Sequence, residues 1–299
     1  MSVETKALLS SAAALLDQAG VSSSQVDAEL LLAHACGLER SQLVSVSEIT
    51  ADQEFDFNAL VARRANRVPL QHLTGFAYFR HLALAVGPGV FVPRPETELL
   101  VEAAIAHLKN IPAPRNVVDL CSGSGAIALS IALEVPGTIV LAVELSEDAV
   151  KWLAHNVVDH AAQLEAVGSH VFIHHGNAGD RTLLADMVGQ LDAVVTNPPY
   201  IPQDMIPRDP EARDHDPAMA LFSGEDGLDV AREVALVGAD LLHPGGFFGM
   251  EHADVQGESV PALLNSMLGI WQEVKDNQDY NQLPRFTTAV RTTKPSVGR

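Results

Sequence analysis

In the first quarter of the chain apolar positions recur three and four apart. Val3, Leu8, Leu9, Ala12, Leu15, Leu16 and Ala19 fall on one helical face, and Gly20 ends the run. Ser24 is placed to cap a second helix through QVDAELLLAHACG, closed by Gly37. Thr50 with Gln53 forms a capping box ahead of FDFNALVARRANR. No stretch here alternates as a half-buried strand does, so residues 1–80 are expected to form a small all-α bundle.

After Pro69 the pattern changes. LALAV and VFV read as short strands around the turn Gly87-Pro88-Gly89, and PETELLVEAAIAHL reads as a helix with Pro95 near its first turn. From Asn116 onward, strand candidates (NVVDL, TIVLAV, HVFIHH, LDAVVTN, GGFFGME) alternate with helical stretches (GAIALSIALE, SEDAVKWLAHNVV, RTLLADMVG, DVAREVALVGADLL). The strand runs are continuously apolar, as in strands buried on both faces. That pattern predicts an α/β fold with a doubly wound, Rossmann-like, mostly parallel sheet behind the helical bundle. The expected domains are 1–80 and 81–299, with 81–95 as a hairpin or linker. The Pro- and Asp-rich stretch IPQDMIPRDPEARDHDPAM is expected to be a long loop, and Trp152 and Trp271 to be core residues.

Charge narrows the partners. The 299 residues carry 19 Lys+Arg against 38 Asp+Glu, a net charge of -19. Phosphate backbones are bound mainly through Lys and Arg, so a nucleic-acid partner is disfavoured and a basic protein or a small substrate is favoured. The two cysteines, Cys36 and Cys121, stand far apart and do not suggest disulfides. The N-terminus carries Glu4 and Asp17 and no apolar block of membrane or signal length. A cytoplasmic protein with no membrane association is the expectation. His174-His175 lacks further ligands at metal spacing.

In doubly wound sheets ligands bind beyond the carboxyl ends of the strands. VVDLCSGSGAIA lies at such an end and opens a helix, with Gly123 and Gly125 allowing a tight turn and close backbone approach. Glu144, nineteen residues past Gly125, ends the next strand, where a carboxylate can accept the two hydroxyls of a ribose. Gly123-x-Gly125-x-x-Ala128 satisfies the loose dinucleotide fingerprint, so a nicotinamide cofactor and S-adenosylmethionine both fit. Asp119 favours the second, because it can receive a cationic group and would repel a pyrophosphate.

LDAVVTNPPYIP is the other candidate site. Two prolines stop the strand and leave Asn197-Pro198-Pro199-Tyr200 at its end. The Asn197 side-chain oxygen and the Pro198 carbonyl are two acceptors suited to one planar NH₂, and Tyr200 offers a flat face for stacking. A planar NH₂ is a poor nucleophile. Holding its protons while aligning nitrogen, methyl and sulfur favours attack on a sulfonium methyl, and no metal is needed.

These motifs resemble class I S-adenosylmethionine-dependent methyltransferases acting on amide or exocyclic nitrogens. More narrowly, PLQHLTGFAYFRHLALAVGPGVFVPRPETELLVE, VVDLCSGSGAIALSIA, VVTNPPYIP, ALFSGEDGL and GGFFGMEHADVQGESV are similar to the PrmC/HemK family, protein-(glutamine) methyltransferases that modify peptide release factors. The resemblance covers nearly the whole chain, and Pro93-Arg94-Pro95-Glu96-Thr97-Glu98 is its most specific piece. It implies that Cys121, Ser122, Gly123, Ser124 and Gly125 wrap the methionine part of the cofactor and that Asn177 and Ala178 lie beside the adenine. It implies that Asn197, Pro198, Pro199 and Tyr200 grip the glutamine side chain, with Phe91, Pro93 and Arg94 lining the substrate side. The substrate would be the Gly-Gly-Gln glutamine of class-one release factors, the product S-adenosylhomocysteine, and the enzyme a monomer, with residues 1–80 as its substrate-recognition domain and 81–299 as its cofactor-binding catalytic domain. The same Asn-Pro-Pro-Tyr occurs in adenine and guanine methyltransferases, so a nucleic-acid exocyclic amine is the alternative substrate. Two positions depart from the family pattern. Cys121 replaces a glycine, which fits if φ is negative there. Asn177 replaces an acid, and its side-chain oxygen keeps an acceptor for the adenine amine.

Overall fold

A strand that is apolar at every position needs cover on both faces, and the central sheet has it. The computed structural model describes residues 3–46 and 48–292. The outermost residues of both expected domains, and the side chain of Val3, lie outside the described residues. Two short strands form a hairpin, β1 (Phe76–Phe79) and β2 (Leu82–Ala85). Seven more make one sheet: β3 (Arg115–Leu120), β4 (Thr138–Glu144), β5 (His170–His175), β6 (Leu191–Thr196), β7 (Leu242–Glu251), β8 (Trp271–Gln278) and β9 (Pro284–Arg291), in the order β5-β4-β3-β6-β7-β9-β8.

Strands β3 to β7 pair in parallel, while β9 pairs antiparallel with both β7 and β8. Successive side chains go to opposite faces. Val117, Val140, Ala193, Val195 and Phe247 enter one core, with α5 (Thr97–Leu108) and α6 (Ala126–Glu134) over it. Val118, Leu120, Val194, Phe248 and Met250 enter the other, beneath α11 (Asp229–Leu241) and α12 (Ser259–Ser266). α7 (Glu147–Asp159) and the short α8 (Ala161–Ala166) link β4 to β5. The switch in winding direction falls between β3 and β6, where Leu120 pairs with Thr196. Trp271 is buried against Phe248, with ring centroids 4.8 Å apart, and Trp152 is half-buried.

The chain divides into two compact units. One holds Met1–Phe76, Val86–Pro88 and Ile206–Asp216; the other holds Ala77–Ala85, Gly89–Met205 and Pro217–Arg299. The first is helical: α1 (Val3–Gln18), α2 (Ser24–Cys36), α3 (Ala51–Ala65) and α4 (Leu70–Thr74), with α9 (Pro210–His215) contributed by a distant stretch of chain. Leu9, Leu16, Leu31, Leu32, Phe57 and Val61 form its core, while Leu15 points outward. Thr50 and Gln53 make the expected reciprocal cap, and Gly37 closes α2 in the left-handed region. The residue before α2 is Ser23, not Ser24, and its hydroxyl donates to Asp27 Oδ1 at 2.7 Å instead of capping.

Four expectations are corrected. VFV is not a strand: Val90 and Val92 are buried, yet the hairpin partner of LALA is Phe76–Phe79. RTLLADMVG forms only a 3₁₀ turn, Ala185–Met187, because Asp180 takes the backbone N–H and hydroxyl of Thr182 into a local turn that competes with a helix. The stretch after Tyr200 is not all loop, since α9 and α10 (Ala218–Leu221) lie within or beside it. No strand is expected after GGFFGME, because the following stretches mix charged and apolar positions, yet β8 and β9 form an antiparallel pair that extends the sheet.

Candidate active site

The parallel register brings the carboxyl ends of β3, β4, β6 and β7 to one edge of the sheet. The glycine loop leaves β3, Glu144 ends β4, Asn197 follows β6 and Glu251 ends β7. This is the crevice beside the switch point where open α/β sheets bind ligands.

The loop is held by its own hydrogen bonds. Ser122 N donates to Val143 O at 3.0 Å, Gly125 N to Ser122 O at 2.8 Å, and the Ser122 hydroxyl to Asp119 O at 2.8 Å. Fully buried Asn156 braces it from α7, donating to Ser124 O and Ala85 O while accepting from Ala85 N. Gly125 is a strict requirement: φ is +89°, and a Cβ would stand 2.6 Å from Leu153 Cδ1. At Gly123 a Cβ would meet nothing within 4 Å, so the loop leaves open space there. The expected negative φ at Cys121 is overturned. Its φ is +63°, in the left-handed region that favours glycine, and here a cysteine bears the strain.

Asp119 is fully buried. Its Oδ2 accepts from Ala128 N at 3.1 Å, and its Oδ1 has no hydrogen-bond partner among the described residues. Burial pushes this carboxyl up to about 8. Glu144 accepts from Gly123 N through Oε2 and from Ser146 N through Oε1, both at 2.8 Å, and each oxygen keeps a further lone pair. Exposed Leu145 follows it. Asn177 is exposed, with its oxygen accepting from Gly179 N at 2.9 Å, and Ala178 is buried beside it. A buried orphan acceptor, a carboxylate with spare lone pairs and open space at Gly123 fit a ligand with a cationic group and a ribose. Burial, and then Glu144 and Asp119, push the Cys121 thiol upward, so it is no thiolate nucleophile near neutral pH.

At the substrate end, Asn197 Nδ2 donates to Thr97 Oγ1 at 3.3 Å, which ties the Asn-Pro-Pro-Tyr turn to the first turn of α5 and so to the VPRPETE segment. Pro198 is buried, Pro199 and Tyr200 half-buried. The Tyr200 backbone is fixed from behind: its carbonyl accepts from Gln256 Nε2 at 3.0 Å, and a Cβ on Gly227 would stand 2.3 Å from it. Burial, with negative Glu251 nearby, drives the Tyr200 hydroxyl upward, so it stays protonated and serves as a flat face and donor. Upstream, the Arg94 guanidinium lies over the Phe91 ring, 5.2 Å from its centroid, and Pro93 between them is half-buried. Sequence reasoning missed Asn156, Gly227, Glu251 and Gln256 as parts of this site, while Thr97 lies in the VPRPETE segment expected to line the substrate side. Only Glu251, an acid ending an apolar strand, carried a readable signal.

The profile of the PrmC N-terminal domain matches residues 7–75, and that of the methyltransferase small domain matches 88–207. The release factor glutamine methyltransferase of Streptomyces coelicolor is 49% identical over 276 residues, covering 92% of this chain and 93% of that one. The protein of the same name from Bifidobacterium longum is 41% identical over 290 residues, covering 95% and 98%. The 16S rRNA N2 G1207 methyltransferase of T. thermophilus, solved with AdoMet and guanosine, superposes with a TM-score of 0.51 at 23% identity, covering 72% of this chain and 49% of that one, and shares the fold. The chain belongs to the release factor glutamine methyltransferase family.

Proposed function

We propose that this protein transfers the methyl group of S-adenosylmethionine to the side-chain amide nitrogen of the glutamine in the Gly-Gly-Gln motif of class-one peptide release factors. The observation that carries the reading is the pairing of two half-sites across one switch point. Buried Asp119 with an unpartnered Oδ1 lies on one side and Asn197-Pro198 on the other, joined through the Leu120–Thr196 register.

When bound, the cofactor supplies an electrophilic methyl on a sulfonium. Asp119 would take its ammonium group, Glu144 its ribose hydroxyls, and Ala178 with Asn177 would border its adenine. The chain's own contribution is positional. Asn197 Oδ1 and Pro198 O accept the two hydrogens of the glutamine NH₂, holding the nitrogen lone pair toward the methyl, and Tyr200 covers the amide plane. In the overall change the C–N amide bond is kept, an N–CH₃ bond replaces S–CH₃, and one proton leaves the nitrogen.

The test is transfer of labelled methyl from S-adenosylmethionine to an unmodified release factor, beside the same factor with Gln→Ala in its Gly-Gly-Gln and beside duplex DNA. Label on the wild-type factor alone is expected. Label on DNA in its place would transfer the function to a nucleic-acid amine and end the proposal.

A further inference from the structure

Glu251 lies at the end of β7 and is 2% exposed. Its side chain is hydrogen-bonded to those of Thr97 and Asn197, and among the described residues its Oε2 has no partner. Burying a carboxylate with an idle oxygen is costly, and a structural role would be served as well by an apolar residue. The cost therefore points to a function, and the neighbours say which.

A carboxylate only accepts. Thr97 must turn its O–H toward Glu251, which leaves the Thr97 lone pair facing Asn197. The Asn197 NH₂ then gives one hydrogen to Thr97 Oγ1, at 3.3 Å, and the other to Glu251. Both amide hydrogens of Asn197 are spent on the protein side, so the only group left to face outward is Oδ1. An amide side chain otherwise flips between two nearly isosteric orientations. In the flipped orientation Asn197 would set its oxygen against the carboxylate and its NH₂ against the NH₂ of the substrate.

We propose that Glu251 is a positioning residue that locks the orientation of the Asn197 amide, so that an acceptor and not a donor meets the substrate nitrogen. As it concerns a planar NH₂ substrate, the role in turnover rests on the function proposed above; the orientation itself does not. Burial, against the hydrogen bonds from Thr97 and Asn197 and the charge of Arg285, places the Glu251 carboxyl at about 7. Arg285 on β9, Glu96 before α5 and Tyr200 are the other charged or titratable groups facing it. A proton taken up on Oε1, the oxygen that meets Thr97 and Asn197, turns Glu251 into a donor that tolerates the wrong orientation, so the lock is held above about pH 7 and weakened below it.

The experiment has two arms. In the first, the side-chain ¹⁵NH₂ pair of Asn197 is identified in the full-length protein as the pair lost in Asn197→Ala. Its hydrogen exchange is then followed from pH 6 to 8 in wild type, Glu251→Gln and Glu251→Ala. Slow exchange with a titration near pH 7 in wild type only is expected. Exchange as fast as in exposed asparagines, indifferent to both substitutions, overturns the proposal whatever the substrate proves to be. In the second arm kcat, KM and cofactor affinity are measured on the release factor. Glu251→Ala is expected to lower kcat about a hundredfold with cofactor affinity unchanged. Glu251→Gln, which keeps an acceptor, should recover part of the loss and flatten the pH profile. Unchanged kcat in both variants overturns the proposal; a protected amide in a protein inactive on release factors keeps it and removes the function.

Discussion

Half-buried Cys121, at the start of the glycine loop, and buried Asp119, on the strand before it, set the cost of the site at the scale of single side chains. Cys121 holds φ at +63°, a conformation that costs an L-residue about 1–2 kcal/mol. Glycine would relieve that strain but lose about 0.5–1 kcal/mol to the freedom of the unfolded chain. Thus Cys121→Gly is expected to leave stability within about 1 kcal/mol of wild type in denaturant titration, while β-branched Cys121→Val costs roughly 2 kcal/mol or more. Asp119 is the sharper case. Its ordinary value is 3.8, and burial raises it to about 8 in the folded chain. A carboxyl raised by folding contributes stability that is complete below its unfolded value and is lost as pH rises through its folded one. Wild type should therefore lose stability between about pH 4 and 8 on account of Asp119. Asp119→Asn, which keeps an acceptor for Ala128 N, should be more stable at pH 8 by on the order of a few kcal/mol. The same variant should bind S-adenosylmethionine more weakly by calorimetry. A variant that is destabilised at pH 8, or that keeps full affinity, would show that Asp119 is no cation site.

The α9 turn, Pro210–His215, belongs by packing to the helical unit although it follows the Tyr200 motif in sequence. The reason is charge. Arg64 in α3 is 6% exposed and bonds Asp27 at 2.8 Å and Glu211 at 2.7 Å, while Arg67 bonds the other Glu211 oxygen at 2.6 Å. Burial works against an ionised Glu211, yet the hydrogen bonds, those from Arg67 and Arg64 among them, win and hold it well below the usual carboxylate range. Its contribution is present above the ordinary value of 4.5 and is lost as pH falls toward the depressed one. Removing one partner of a buried pair strands the other, so Glu211→Ala should destabilise the helical unit by about 3–5 kcal/mol at pH 7, with a smaller loss at pH 3. Urea unfolding at the two pH values reads this directly; equal losses at both would mean that packing and not charge holds α9. None of this was legible in the sequence, where the α9 stretch reads as loop. The elements that were legible share one property: their order is set locally, by a 3.6-residue period, by a capping box at Thr50, or by an unbroken apolar run such as Ala193–Val195. The missed ones depend on partners far along the chain. Strands β8 and β9 need the β7 edge, Val90 and Val92 are buried without pairing, and Glu251 and Gln256 join the site only when β6, β7 and α5 come together. The glycine loop, Glu144 and Asn197–Tyr200 stood out because each interrupts a strand with residues a strand cannot use.

For the whole molecule the net charge of -19 is the largest single fact. It places a negative field around any approaching substrate, which speeds a basic partner, slows a nucleic acid and leaves a neutral peptide unaffected. Salt screens that field: the Debye length falls from about 30 Å at 0.01 M to about 8 Å at 0.15 M. The chemistry at half-buried Asn197, hydrogen-bonded to Thr97 beside buried Glu251, is screened less. Substrate capture and methyl transfer should therefore respond differently to salt. If the protein substrate is recognised through its charge, kcat/KM on intact release factor should fall several-fold from 0.01 to 0.15 M salt, at constant kcat. A short uncharged Gly-Gly-Gln peptide should be methylated with kcat/KM independent of salt but lower throughout, because it engages only Asn197–Tyr200. The comparison separates the two units without cutting the chain, which would strip Glu211 of its buried partners. It also isolates the role expected of the helical unit, recognition of the protein substrate, from that of the site. Should peptide and factor show the same kcat/KM and the same salt response, the surface beyond the site contributes nothing to recognition, and the helical unit's role in substrate binding must be given up.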